Sequence, residues 1–147
     1  MSHAYHNNLI HLVFSTKNRE NLIRREMEEP LRKYFVGIGH NEGFKILACG
    51  SVENHCHLLY ALPATVTLSS SVGSLKANSS RWLRDQTRRF HWQKGYGAFS
   101  VSESAKSKVL EYIARQREHH AKHSFETEFI ALLNKHNVDY DPRHVFD

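Results

Sequence analysis

Residues 45–62 read KILACGSVENHCHLLYAL. Two apolar runs, 45–51 and 55–62, are parted only by Val52, Glu53 and Asn54. So short a spacer between two extended segments predicts an antiparallel hairpin. Pro63 ends the second run, because it has no N–H to give to a strand ladder. Upstream, Leu9, Ile10, Leu12, Val13 and Phe14 mark residues 7–16 as a buried strand. Residues 25–38 read as a helix with Pro30 in its first turn and Leu31, Tyr34, Phe35 and Ile38 on one stripe.

Downstream, Leu68, Val72, Leu75, Trp82 and Leu83 recur at helical spacing over 68–86, and 98–102 is a short fourth strand after the loop WQKGYG. A third helix, capped by Ser102 or Ser104, is expected to run to about His120. A last amphipathic helix over about 126–135 precedes a polar tail. The first six elements match the ferredoxin-like βαββαβ order: an α+β fold, an antiparallel sheet with helices on one face, here with C-terminal helices added. No repeat, long linker or charge block interrupts the chain, so residues 1–147 are expected to form a single domain. That fold hosts many functions and decides none.

Composition narrows the classes. Hydrophobic residues at 40% and charged residues at 24% suffice for a packed core and argue against global disorder. No apolar run reaches the roughly 18–20 residues of a membrane span, and the N-terminus lacks a basic-then-apolar leader pattern. A soluble, cytoplasmic protein with no membrane partner is the expectation. The charge of +5 favours an anionic partner such as nucleic acid. Cys49 and Cys56 are too few for a disulfide scaffold or a zinc site of their own, and buried reduced thiols fit better.

Twelve histidines are many for this length, and at that frequency about one His-x-His triplet arises by chance. The context of His55 and His57 carries more. Strand alternation sets them on one face with Leu59 and Ala61, while Cys56, Leu58, Tyr60 and Leu62 share the other. Two such residues have α-carbons about 6.5–7 Å apart, close enough to converge on one metal ion. They read equally as half-exposed histidines on an open sheet face making ordinary hydrogen bonds. In the third helix Val109, Leu110, Ile113 and Ala114 form the buried stripe, and Tyr112 and Gln116 sit one above the other off it. Such a tyrosine is either a surface residue or a nucleophile beside a metal ligand, the glutamine oxygen being a hard donor suited to magnesium or manganese. His119 and His123 also have ligand spacing, and with His120 they could form a second metal site. Favourable charge at a helix C-terminus is the plainer account.

His55-Cys56-His57 on a strand, followed by Tyr112-Ile113-Ala114-Arg115-Gln116 on a later helix, resembles the single-tyrosine transposases of the insertion sequence 200/605 type, which are HUH endonucleases. The runs HLVFSTK (11–17) and WQKGYGAFSVS (92–102) resemble that family too. The resemblance implies a divalent ion, Mg2+ or Mn2+, on His55, His57 and Gln116, with Tyr112 as nucleophile. It further implies nicking and rejoining of single-stranded DNA through a 5′-phosphotyrosine, recognition of DNA hairpins, and homodimers with composite active sites. Cys56 replaces the usual bulky aliphatic of the triplet, a small change because cysteine behaves as a small hydrophobe. A covalent link conserves bond energy, so rejoining needs no nucleotide, and no Walker-type glycine loop is present.

Lys76, Arg81, Arg84, Arg88 and Arg89, interleaved with Trp82, Phe90, His91 and Trp92, form the densest basic-aromatic segment. Cations track phosphates and aromatics stack on unpaired bases, so this segment is a candidate DNA surface; the alternative is a core tryptophan on a solvated helix. Arg115 and Arg117 flank the tyrosine and are further candidates. Three rivals stand beside the transposase reading. One is a domesticated relative acting on repeated hairpins, and another is a metallohydrolase using bound water. The last, a non-catalytic nucleic-acid-binding module, would carry aromatic residues where His55 and His57 stand.

Overall fold

A computed structural model describes residues 3–147, so Met1 and Ser2 of the stretch read for a leader lie outside it. The strands are β1 (Leu9–Ser15), β2 (Lys45–Val52), β3 (His55–Ala61) and β4 (Gly97–Val101), in the order β2-β3-β1-β4 with every pairing antiparallel. That is the ferredoxin-like arrangement. The helices are α1 (Glu28–Glu42), α2 (Leu68–Gln86), α3 (Lys106–Ala114), α4 (Gln116–His120) and α5 (Phe125–Lys135).

Alternation in the central strands builds two different layers. Ile10, Leu12 and Phe14 of β1 and Cys56, Leu58 and Tyr60 of β3 form the main core with Leu31 and Phe35 of α1 and Leu75 and Leu83 of α2. The opposite face is not open, contrary to the sequence expectation. Val13 and Phe99 pack under Phe125, Phe129 and Leu133 of α5, and Leu9 and Leu59 pack under Ile113 of α3. The amphipathic C-terminal helices have apolar stripes to bury, and this face of the sheet receives them. His11, His55 and His57 are enclosed between the two small clusters, each no more than 3% exposed.

Two local features place α3 and α4. The single third helix expected from sequence is broken at Arg115, whose backbone (φ −105, ψ 23) leaves the helical region. Its start lies at Lys106 after a short 3-10 turn, Glu103–Ala105, and neither Ser102 nor Ser104 caps it; their hydroxyls bond each other at 3.0 Å. Gly50 of β2 fixes the height of α3. A β-carbon there would stand 2.3 Å from the backbone oxygen of Ile113, so only glycine admits this approach. Cys49 and Cys56 are free thiols, and burial pushes Cys49 up to about 12.

A candidate metal and nucleophile site

The site grows from β3 and its neighbour β1. Nε2 of His11 lies 2.8 Å from Nδ1 of His57, and Nδ1 of His55 lies 2.8 Å from the Oδ1 of Asn54 in the hairpin turn. Above them α5 is capped by Ser124, whose hydroxyl accepts from the Thr127 N–H. Its buried stripe runs Phe125, Glu128, Phe129, Leu133, so a carboxylate stands among apolar residues and points at the histidines.

Glu128 uses both oxygens. Oε1 lies 2.8 Å from His57 Nε2, 3.1 Å from His120 Nε2 and 3.4 Å from His55 Nε2. Oε2 accepts from the Tyr112 hydroxyl and lies 3.4 Å from His119 Nε2. One donor atom each from His55, His57, His120 and Glu128 falls within 4.8 Å of all the others. That set of three imidazoles and one carboxylate suits a divalent ion.

Burial drives the electrostatics. It pushes His11 down to about 3 and His55 down to about 4, so both are neutral at pH 7. Burial alone would raise Glu128, but the imidazoles of His120, His55 and His57 gathered around it outweigh burial and hold the carboxyl well below the usual range. Tyr112 moves the other way: burial, then the hydrogen bond and charge of Glu128, push its hydroxyl well above the ordinary phenol value.

Gln116, the expected third ligand, is buried one turn beyond Tyr112. Its Nε2 donates to the Tyr112 carbonyl at 3.2 Å, and its Oε1 has no hydrogen-bond partner among the described residues. A buried oxygen without a donor is a place where a cation fits. Tyr112, the candidate nucleophile, and the candidate ion donors His55 and His57 lie together around Glu128.

The family model for "Transposase IS200 like" matches residues 4–116. This chain belongs to the IS200-like transposase family. The transposase for insertion sequence element IS200 of Salmonella typhimurium is 26% identical over 126 residues, covering 80% of this chain and 82% of that protein. The Salmonella typhi counterpart matches equally. Two solved structures share the fold. One is a transposase from Deinococcus radiodurans, with TM-score 0.65, 21% identity, and coverage of 79% of this chain and 95% of that one. The other is a REP-associated tyrosine transposase bound to a REP hairpin, with TM-score 0.63, 16% identity, and coverage of 82% and 73%.

In this IS200-like transposase the match stops at Gln116, while His119, His120 and Glu128 lie beyond it. His120, set aside in the sequence as helix-end charge, instead turns inward to Glu128. Glu128 was missed, although a carboxylate on the apolar stripe of an amphipathic helix was the available signal. His11 was missed as a site residue, though it sits on the same sheet face as the His pair.

The basic residues divide. α2 packs against the main core, so Arg81, Arg84, Arg88 and Arg89 lie across the sheet from Tyr112; all four are exposed, and Arg89 pairs with Glu20 at 2.9 Å. Lys76 turns inward instead, its ammonium donating to the carbonyls of Gln93, Lys94 and Gly95 at 2.7, 3.2 and 2.8 Å. Phe90 and Trp92 are core, and Trp82 stacks on Tyr34 with centroids 4.9 Å apart. Arg117 is held by Glu28 at 2.7 Å and Glu53 at 2.8 Å. Arg115 stays on the tyrosine side, in a hollow of about 740 Å³ with Lys108, Tyr112, His119 and Lys122. A second hollow of about 550 Å³ brings Lys108, Lys135 and His11 to the other side of Tyr112.

Proposed function

We propose that this transposase nicks and rejoins single-stranded DNA through a covalent 5′-phosphotyrosine on Tyr112, with a divalent ion, magnesium or manganese, on His55 and His57 and with Gln116 as a further donor. One observation carries the reading: Tyr112 and the histidine pair meet on the two oxygens of one buried carboxylate, Glu128. A divalent ion bound there supplies charge neutralisation on the nonbridging phosphate oxygens.

The chain's own residues do the rest. Gln116 braces the Tyr112 backbone, and Glu128 fixes the direction of the phenol and receives its proton at Oε2. As Tyr112 Oη bonds to phosphorus, the bond from phosphorus to the 3′-oxygen breaks. The 3′-oxygen takes a proton from water, Glu128 returns the phenol proton to solvent, and the strand leaves with a 3′-hydroxyl. The reverse attack rejoins it, and the phosphotyrosine conserves the bond energy between the two. Because burial and the carboxylate together raise the phenol, the nucleophile stays protonated until positive charge offsets Glu128.

The partner class is single-stranded DNA with hairpin-forming ends. The net charge of +5 and the cations around the two hollows support it, as does the REP-hairpin complex formed by a protein of the same fold. A homodimer with composite active sites belongs to this reading, and a site completed by the tyrosine helix of its own chain is the alternative arrangement.

The test mixes purified protein with single-stranded hairpin oligonucleotides from its own genomic flanks and magnesium or manganese. A denaturing gel and mass spectrometry of the Tyr112 peptide are the readouts. A metal-dependent adduct on Tyr112 is expected. Cleavage without adduct would establish a water-using hydrolase instead, and binding with neither would leave a nucleic-acid-binding module. Hairpin-flanked copies scattered through the genome would mark the domesticated form of the same chemistry.

A further inference from the structure

We propose that His120 and Glu128 complete the donor set begun by His55 and His57, giving a three-imidazole, one-carboxylate centre that takes cobalt(II) or zinc in preference to magnesium. This rests on the reading of His55 and His57 as ligands. It adds two residues from beyond the family-matched segment and changes the class of ion.

The protons decide it. Nδ1 of His120 lies 2.8 Å from the backbone carbonyl of His123, and a carbonyl only accepts, so that nitrogen carries the ring proton. Asn54 donates its Nδ2 to the Arg19 carbonyl at 3.4 Å, which turns its Oδ1 toward His55 Nδ1 at 2.8 Å. His55 therefore carries its proton on Nδ1 as well. With the proton of each ring placed on Nδ1, the two Nε2 atoms are the ones free to act as donors to an ion; they lie 2.9 Å apart, with Glu128 Oε1 at 3.4 and 3.1 Å. Three acceptors facing one another in a buried pocket repel unless a cation lies among them.

The spacing agrees. Donors held about 2.1 Å from one ion stand roughly 3.0–3.4 Å from each other. The contacts of 3.1 and 3.4 Å fall in that range, and the 2.9 Å contact lies just below it. His57 Nε2, at 2.8 Å from the same oxygen, completes the group, and its Nδ1 is oriented by His11. Ring nitrogens steered by a carbonyl, an amide oxygen and a neighbouring imidazole are the outer-shell pattern of metal-binding histidines. Magnesium prefers oxygen ligands and keeps its waters, whereas imidazole donors favour the later divalent ions.

Cobalt(II) reports its own coordination through visible absorption. Purified full-length protein, stripped with chelator, is titrated with cobalt(II), then challenged with zinc and with millimolar magnesium. Saturable visible bands are expected with the wild type, displaced by zinc and untouched by magnesium. Glu128→Gln, His120→Ala and His57→Ala should each weaken cobalt binding by more than about tenfold. Tyr112→Phe should keep the bands, and thermal melts show whether each variant is folded. Loss in His57→Ala with wild-type binding in Glu128→Gln and His120→Ala overturns this inference while the proposed function stands. Displacement by magnesium overturns the ion preference. No cobalt binding by the wild type, or retention in all three variants, overturns both.

Discussion

The hydroxyl of Tyr112 donates to Glu128 Oε2, while Oε1 of the same carboxylate faces the Nε2 atoms of His55, His57 and His120. The proposed nucleophile and the proposed ion site share one carboxylate, which couples them. Charge gathered on the histidine side weakens the hold of Glu128 on the phenol proton, and loss of the phenol leaves the donor cluster intact.

Tyr112→Phe is therefore expected to abolish the covalent DNA adduct while leaving hairpin binding nearly intact. Removing one hydroxyl deletes a hydrogen bond to a charged group, worth about 1.5–3 kcal/mol, without opening a cavity. The check is a denaturing gel for the adduct beside a binding titration with the same oligonucleotide. An adduct formed by the phenylalanine variant would assign the nucleophile elsewhere.

Gly50→Ala tests how tightly the tyrosine helix must be held. The added methyl would meet the Ile113 carbonyl at 2.3 Å, one residue beyond Tyr112, so α3 must lift from β2. Overpacking of this kind destabilises by about 1–3 kcal/mol. A displacement of about 1 Å at the nucleophile can lower the rate by about 100-fold. Adduct formation is expected to fall far more than the melting temperature. Equal wild-type rates would show that α3 tolerates the shift.

The main layer of the fold was legible because its elements have a single apolar face. The 68–86 periodicity coincides with α2, and of the expected Val52-Glu53-Asn54 spacer Glu53 and Asn54 form the turn, Val52 being the last residue of β2. The second layer was not legible, since strand alternation shows that His55 and His57 share a face but not what lies over it. Whether α5 docks there depends on tertiary packing of Phe125 and Phe129 against Val13 and Phe99, residues far apart in the chain. For the same reason Tyr112 and the histidine pair were readable as motifs, whereas Glu128 of α5 and His120 of α4 become candidate site residues only once those helices are packed on the sheet. Lys76 and Arg117 were misleading because a formal charge does not disclose an internal partner.

Arg117 is expected to be structural. It ties α4 to Glu28 at the start of α1 and to Glu53 in the hairpin turn. Its guanidinium holds the Glu53 carboxyl below the ordinary value. A depressed carboxyl stabilises the folded state above its unfolded value near pH 4.5, and that contribution is lost as pH falls through the folded value. Arg117→Ala should lower stability at pH 7 by about 1 kcal/mol, since the pair is partly exposed, and the deficit should shrink in acid. Urea melts at pH 7 and pH 4 measure it. A deficit that grows in acid would contradict the ion-pair account.

DNA affinity separates the two candidate surfaces. Arg115, Lys108 and Lys122 line the hollow beside Tyr112, whereas Arg81, Arg84, Arg88 and Arg89 lie across the sheet. A strand reaching Tyr112 must pass the first group, so Arg115→Ala and Lys108→Ala should each flatten the plot of log affinity against log salt. Each lost phosphate contact lowers the slope by about 0.7 on single-stranded DNA. An effect from Arg84→Ala and Arg88→Ala of the same size would place a hairpin stem on the α2 side, and a single-stranded oligonucleotide without the stem should then be insensitive to them. Lys76→Met belongs to neither group. It removes the donor for three loop carbonyls, so it should lower stability by about 1–3 kcal/mol and leave the salt slope unchanged.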